Sequence, residues 1–179
     1  MQEYLRPIKI GTEVLEMARI NPVDYGKASE EIKALHDEYA KKIPMNNMKL
    51  TLLNNPVAFR VLNGFHDILK EAKAFLGELT ANLFCYSIST ENDCAVCSQI
   101  FRNFLDENGV DFDALVMTPE QHALISYGRN IADNPHEVYD EQMDELKEYF
   151  TDEQIVVITS LAAMMVASNI INTVLEIDM

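Results

Sequence analysis

The amino-acid sequence predicts an all-α fold, a single domain of seven or eight packed helices. Three observations carry that expectation. Alternation of apolar and polar residues, the mark of a strand, is nearly absent. Glycine and proline are scarce, six of each among 179 residues, and no Gly/Ser linker, repeat or low-complexity tract breaks the chain. Helix-start signals recur along it, including two Thr-x-x-Gln capping boxes.

In chain order, Ser29 stands before Glu30 and Glu31, an N-cap with acids in the first turn, and opens a helix that ends before Pro44. Pro56 takes an N1 position after Asn54 and Asn55. From there Ala58, Val61, Leu62, Phe65, Ile68, Leu69 and Ala72 keep a helical spacing. A further apolar helix is expected over about 74–88. Asn92 or Asp93 can cap a helix from about Cys94 to Asn108, with Gly109 as its C-terminal stop. Thr118 to Gln121 is a capping box with proline at N1, and its helix stops near Asn134 and Pro135. Asp140 is expected to cap the next helix, and the capping box Thr151 to Gln154 opens a last one reaching about Ile177.

That last helix carries no charge from Ile155 to Leu175, long enough to cross a bilayer. Thr159, Ser160, Ser168, Asn169, Asn172 and Thr173 interrupt it, and no Lys or Arg flanks it, so a buried central helix packed on all sides is the better reading. Its length also suggests that part of it meets another subunit. Residues 1–45 form an N-terminal segment with one helix packing on the core, and 46–179 form the helical core, one domain overall.

Composition excludes several classes of function. The chain holds 29 Asp and Glu against 14 Lys and Arg, a net charge of −15. No basic stripe offers itself to a phosphate backbone or to an anionic membrane surface, so neither nucleic acid nor membrane is an expected partner. The odd cysteine count (Cys85, Cys94, Cys97) does not suit a secreted disulfide scaffold. The start, Met1 to Pro7, lacks the basic and apolar regions of a secretory signal, which points to a cytoplasmic protein with reduced thiols.

The chemistry-bearing motif is Cys94-Ala95-Val96-Cys97. Cysteines three apart lie on one helix face, close enough for a disulfide across the first turn. The free N–H groups and dipole of a helix N-terminus stabilise a thiolate there, the nucleophile of disulfide exchange and of peroxide attack. Two other readings stand beside redox use. Cys94, Cys97, Phe101, Phe104 and Leu105 share one mostly apolar stripe, so the cysteines could simply pack as core. A metal site would need a second ligand pair, and none stands at finger spacing. Cys85 reads as a core residue; His36, His66, His122 and His136 read as surface or satisfied residues.

The segment from Ser87 to Cys97, SISTENDCAVC, resembles the active-site segment of alkylhydroperoxidase D-like proteins in the carboxymuconolactone decarboxylase-like superfamily, with Ser89 and Asn92 on that segment's Ser and Asn. Met117 to Tyr127, Asn134-Pro135, Asp140 to Gln154 and the run Ser168 to Asn172 resemble its peroxidase-related branch, and the resemblance extends from about Asn46 to the end. It implies packed antiparallel helices, a homo-oligomer (trimer or hexamer), and a dithiol that reduces peroxides or disulfides with no organic cofactor. It carries over Cys94 and Cys97 as catalytic residues. The chain departs from the family's proton relay: the histidine position, four after the second cysteine, is Phe101, and the glutamate position, twelve before the first, is Asn82. Val96 replaces an aromatic residue and Asp93 a small one. Glu91, Tyr86 and His66 are the candidate substitutes for the relay.

Helix-end physics favours Cys94 as the exposed exchanging thiol, with Cys97 its partner. The expected function is a hydroperoxidase or thiol–disulfide reductase in antioxidant defence. It would take a small-molecule peroxide as substrate and a small dithiol or protein as reductant. The alternative is a non-catalytic oligomeric module whose pocket, lined by Phe84, Phe101, Phe104 and methionines, holds an apolar ligand or meets a protein partner. A lyase reading ranks last, because nothing in the sequence marks a substrate-carboxylate site.

Overall fold

Helix starts in this chain are set by side chains that satisfy otherwise free backbone N–H groups. The computed structural model describes residues 18–178. Ser29 accepts from the Ile32 N–H at 3.3 Å and opens α1 (Glu30–Ala40). Asn46 accepts from Lys49 N–H at 3.1 Å and opens α2 (Asn47–Leu52). Asn55 accepts from Val57 and Ala58 at the head of α3 (Pro56–Asn63). The reciprocal capping boxes of Thr118 with Gln121 and Thr151 with Gln154 form as expected, heading α7 (Pro119–Asp133) and α9 (Asp152–Val174). Asp140 is the first residue of α8 (Asp140–Lys147), not its cap; that position belongs to Tyr139, whose side chain makes no capping bond. The signal-peptide expectation over Met1 to Pro7 lies outside the described residues.

Among the described residues there are nine α-helices and no strand; the count exceeds expectation because one expected helix is subdivided and α2 was not foreseen. The apolar run after Pro56 divides at Gly64 into α3 and α4 (Phe65–Leu76). The helix expected over 74–88 does not start there: the chain breaks at Gly77, whose φ of +79° only glycine adopts freely. α5 (Glu78–Glu91) begins after it.

α5 is the central helix. Every residue from Ala81 to Ser89 is buried, and the helix packs against α4, α7, α9 and α6 (Ala95–Glu107). Its hydroxyls are satisfied locally, Ser87 donating to Phe84 O and Ser89 to Cys85 O. The expectation that the uncharged last helix would be central and packed on all sides is corrected. α9 buries Ile155, Ile158, Leu161, Ala162 and Met165, but Val156 (65% exposed), Ile170 (55%) and Val174 (53%) face outward. Its length and composition would suffice to cross a membrane, yet in the bundle it packs against α4, α5, α6, α7 and α8. Absence of charge marks two apolar faces here, and only one of them is covered by the described residues.

α5 and α7 approach closely at Gly128. A Cβ there would run into the ring of Phe84, which is fully buried and cannot swing away. Gly128→Ala is therefore expected to lower stability by about 1–3 kcal/mol, read as a shift of the denaturant midpoint. An unchanged midpoint would mean the two helices can separate without cost. A smaller cluster of Leu35, Leu52, Leu53 and Phe59 joins α1, α2 and α3, with Tyr39 packed edge-on against Phe59 at 4.8 Å.

Candidate active site

The turn between α5 and α6 is built from backbone geometry. Cys94 N–H donates to Ser89 O at 3.0 Å and Asp93 N–H to Thr90 O at 3.2 Å, the paired bonds of a Schellman motif. Such a motif needs one left-handed residue, and Asp93 supplies it with φ +52°. Short polar side chains tolerate that region better than most. Asp93→Gly is thus expected to keep or raise stability, and Asp93→Val to lower it by about 1–2 kcal/mol, measured by chemical denaturation. Equal stability of both variants would argue against the left-handed turn.

The expectation that Asn92 or Asp93 caps α6 is corrected. Cys94 is itself the N-cap, its Sγ accepting from the Cys97 N–H at 3.4 Å. Asn92 ends α5 and braces the turn. It donates to Ala132 O at 2.9 Å and accepts from Asn169 of α9 at 3.0 Å. The two cysteines are thereby held together between α5, α6 and the last turns of α9.

Both thiols are free and buried, Cys94 at 2% and Cys97 at 5% exposure, so Cys94 is not the exposed thiol expected from its helix-end position. Their environments split their acidities. The Cys97 thiol donates to the Cys94 sulfur, and this bond, with the Cys97 and Val96 N–H groups and the Thr173 hydroxyl, pulls Cys94 down to about 6 against the opposing effect of burial. The same bond, burial and the neighbouring charge push Cys97 up, so it keeps its proton. Asn172 Nδ2 donates to Cys97 Sγ at 3.0 Å and acts the other way. The pair is thereby polarised, with Cys94 the more acidic thiol and Cys97 the one that holds its proton. Cys85 is wholly buried, and burial pushes its thiol up.

A cavity of about 630 Å³ opens onto Cys97 but not Cys94. Asn82 and Phe101, the two positions where the resembled family carries its relay, both line it. Asn82 donates to Glu78 O at 2.7 Å, a structural bond. Of the three candidate substitutes, only His66 lines this cavity. Glu91 is paired with Arg129 at 2.6 Å, and the Tyr86 hydroxyl accepts from Arg102 at 3.1 Å while its ring packs on Phe112. Burial, with Lys49 and Lys73 nearby, holds His66 below its ordinary value. The apolar pocket expected from Phe84, Phe101, Phe104 and methionines exists with Phe101, Phe104, Met48 and Met165, whereas Phe84 is locked in the core. Sequence reasoning gave no role to Asn172 and Thr173. Their signal was present as uncharged polar residues on an otherwise apolar helix.

No protein-family model and no curated protein matches the chain in sequence. Solved structures do match. A peroxidase-related protein with an alkylhydroperoxidase AhpD core, from Ralstonia eutropha JMP134, superposes with a TM-score of 0.70 at 22% identity, covering 90% of this chain and 91% of that one. The chain has the alkylhydroperoxidase D-like fold. The same fold is found in the debrominase Bmp8 (TM-score 0.72, 16% identity, 89% of this chain and 91% of that one). It recurs in a peroxidase-related protein from Silicibacter sp. TM1040 (TM-score 0.65, 14% identity, 88% and 91%). At these identities the alkylhydroperoxidase D-like likeness is one of architecture, and the chemistry has to be argued from the cysteines.

Proposed function

We propose that this protein is a dithiol oxidoreductase that reduces organic hydroperoxides through Cys94 and Cys97. One observation carries the reading: two neighbouring cysteines whose surroundings split their acidities, with one sulfur opening onto an apolar cavity. Substrate entering that cavity meets Cys97, so we assign the attack to Cys97 and the resolving role to Cys94. Cys97 passes its proton along the existing bond to the Cys94 thiolate. The Cys97 thiolate then attacks the outer oxygen of R–O–O–H. An S–O bond forms, the O–O bond breaks, and the alkoxide leaves, taking a proton from water. Cys94 attacks the Cys97 sulfenic acid; an S–S bond forms and hydroxide departs with the Cys94 proton as water. Two electrons pass from the dithiol to the peroxide, and an external dithiol, small or protein-borne, returns them.

We further propose a homo-oligomer, trimer or hexamer, in which a second copy covers the outward apolar residues Val156, Ile170 and Val174 of α9. Light scattering at the single-chain mass of 20.3 kDa would remove that proposal. A reduced dithiol suits the cytoplasm, where we place the protein.

The test joins a titration to an oxidation. Thiolate absorbance should grow in with a midpoint near pH 6 for one thiol only, and alkylation should slow as pH falls through that value, because protonation removes the nucleophile. Added hydroperoxide should then yield the Cys94–Cys97 disulfide, seen by mass spectrometry. Ordinary thiol acidity with no disulfide would instead favour a non-catalytic module. The observation behind that second reading is that Asn82 and Phe101 leave the relay positions without an ionisable group.

A further inference from the structure

The chain carries a net charge of −15, yet the cavity at Cys97 runs against that balance. Lys49, Lys73 and His66 line it, and Asp178 is the only acid among the lining residues. Lys73 is matched by Glu78 at 2.5 Å. Lys49 is not matched. It lies half-buried, its Nζ donates to Pro44 O at 2.6 Å, and it has no carboxylate partner among the described residues. A half-buried ammonium with only a carbonyl for company is costly, and a bound anion would offset the cost.

A second, independent observation lies at the other end. Asn172 is 4% exposed and lines the cavity beside Cys97. Its Nδ2 is engaged with the Cys97 sulfur, while its Oδ1 is buried with no hydrogen-bond partner among the described residues. A buried acceptor without a donor is uncommon and calls for a ligand hydrogen. Between the two ends the walls are apolar, with Leu62, Leu69, Ile100 and Phe101 among them. The cations belong to partly exposed residues and Cys97 and Asn172 to buried ones, so the charged groups lie toward the rim and the sulfur toward the floor.

We propose that this cavity binds an amphipathic organic carboxylate, its head group held by Lys49 at the rim and its apolar body extending to a terminal O–H that donates to Asn172 Oδ1. This rests on the proposed function only in naming that O–H as a hydroperoxide; the substrate class is then a carboxylate-bearing alkyl hydroperoxide. The cavity volume of about 630 Å³ falls in the range of small-molecule sites.

Binding can be tested without turnover, by calorimetry on the full-length reduced protein with decanoate and with decanol. Decanoate is expected to bind at least about tenfold more tightly than decanol. Lys49→Met should remove that preference and Lys49→Arg should retain it, with circular dichroism confirming the fold of each. Equal affinity for both probes, no binding of either, or a preference that survives Lys49→Met would overturn the inference. The two proposals fail separately. Lys49-dependent decanoate binding with no peroxide-driven disulfide sinks the oxidoreductase reading alone. Disulfide formation with no carboxylate preference sinks this one alone.

Discussion

Cys97→Ser is expected to abolish hydroperoxide turnover, by on the order of 10⁴-fold or more, while leaving a low-pH thiolate at Cys94. The serine hydroxyl can still donate to the Cys94 sulfur as the Cys97 thiol does, and the N–H groups of α6 are untouched. The remaining thiolate would be reactive by charge and shielded by position, since the cavity does not reach it. Cys94→Ser should lose turnover to the same degree by a different route. With the neighbouring negative charge gone, Cys97 loses one cause of its raised pKa and becomes easier to ionise. It should react once and stop as a sulfenic acid, for want of a resolving thiol. Trapping with dimedone and mass spectrometry separates the cases: an adduct on Cys97 in Cys94→Ser, and none in Cys97→Ser. An adduct on Cys94 in the second variant would reverse the assigned roles. Sustained turnover in either would refute the dithiol cycle.

The parts of this molecule that could be read from its sequence are those decided within a few residues. Ser29, Asn55, Thr118 and Thr151 cap helices because each oxygen reaches an N–H two or three residues on. The proximity of Cys94 and Cys97 followed from the helical repeat in the same way. What escaped depends on parts of the chain far apart. Asp93 looks like a cap by residue type, but the Schellman turn of α5 claims it first and passes the capping role to Cys94. The uncharged run of α9 reads as the centre of the bundle, yet α5, with Ser87, Ser89 and Asn82 in it, is the helix the others surround. Burial is settled by what packs on both sides, and polar groups that satisfy themselves along their own helix do not prevent it. The cavity is the extreme case, since Lys49, His66, Phe101 and Asn172 come from four separate helices. No spacing rule could have joined them.

A proton relay of the kind the resembled family carries can be built into this site. Phe101 stands one helical turn after Cys97 on the same face of α6, and Asn82 of α5 lines the same cavity. A histidine at 101 would lie beside the Cys97 sulfur, and a glutamate at 82 would be buried enough for its pKa to rise toward neutrality, where a general base works best. The double variant Asn82→Glu with Phe101→His is expected to raise kcat/KM for a small hydroperoxide by about 10²–10⁴-fold, and to give a bell-shaped pH profile. The reason is specific to this site. Among the described residues the group that meets the Cys97 proton is the Cys94 sulfur, a weak base because the same bond lowers its pKa. An external base would remove the Cys97 proton without needing Cys94 to give up its charge. Stability should fall, because Asn82 loses its bond to Glu78 O and the Phe101 ring leaves an apolar wall. Phe101→His alone, with a smaller disturbance, is the variant to measure if the pair does not fold. A folded single or double variant whose kcat/KM stays at the native level would mean that proton removal from Cys97 does not limit attack on the hydroperoxide.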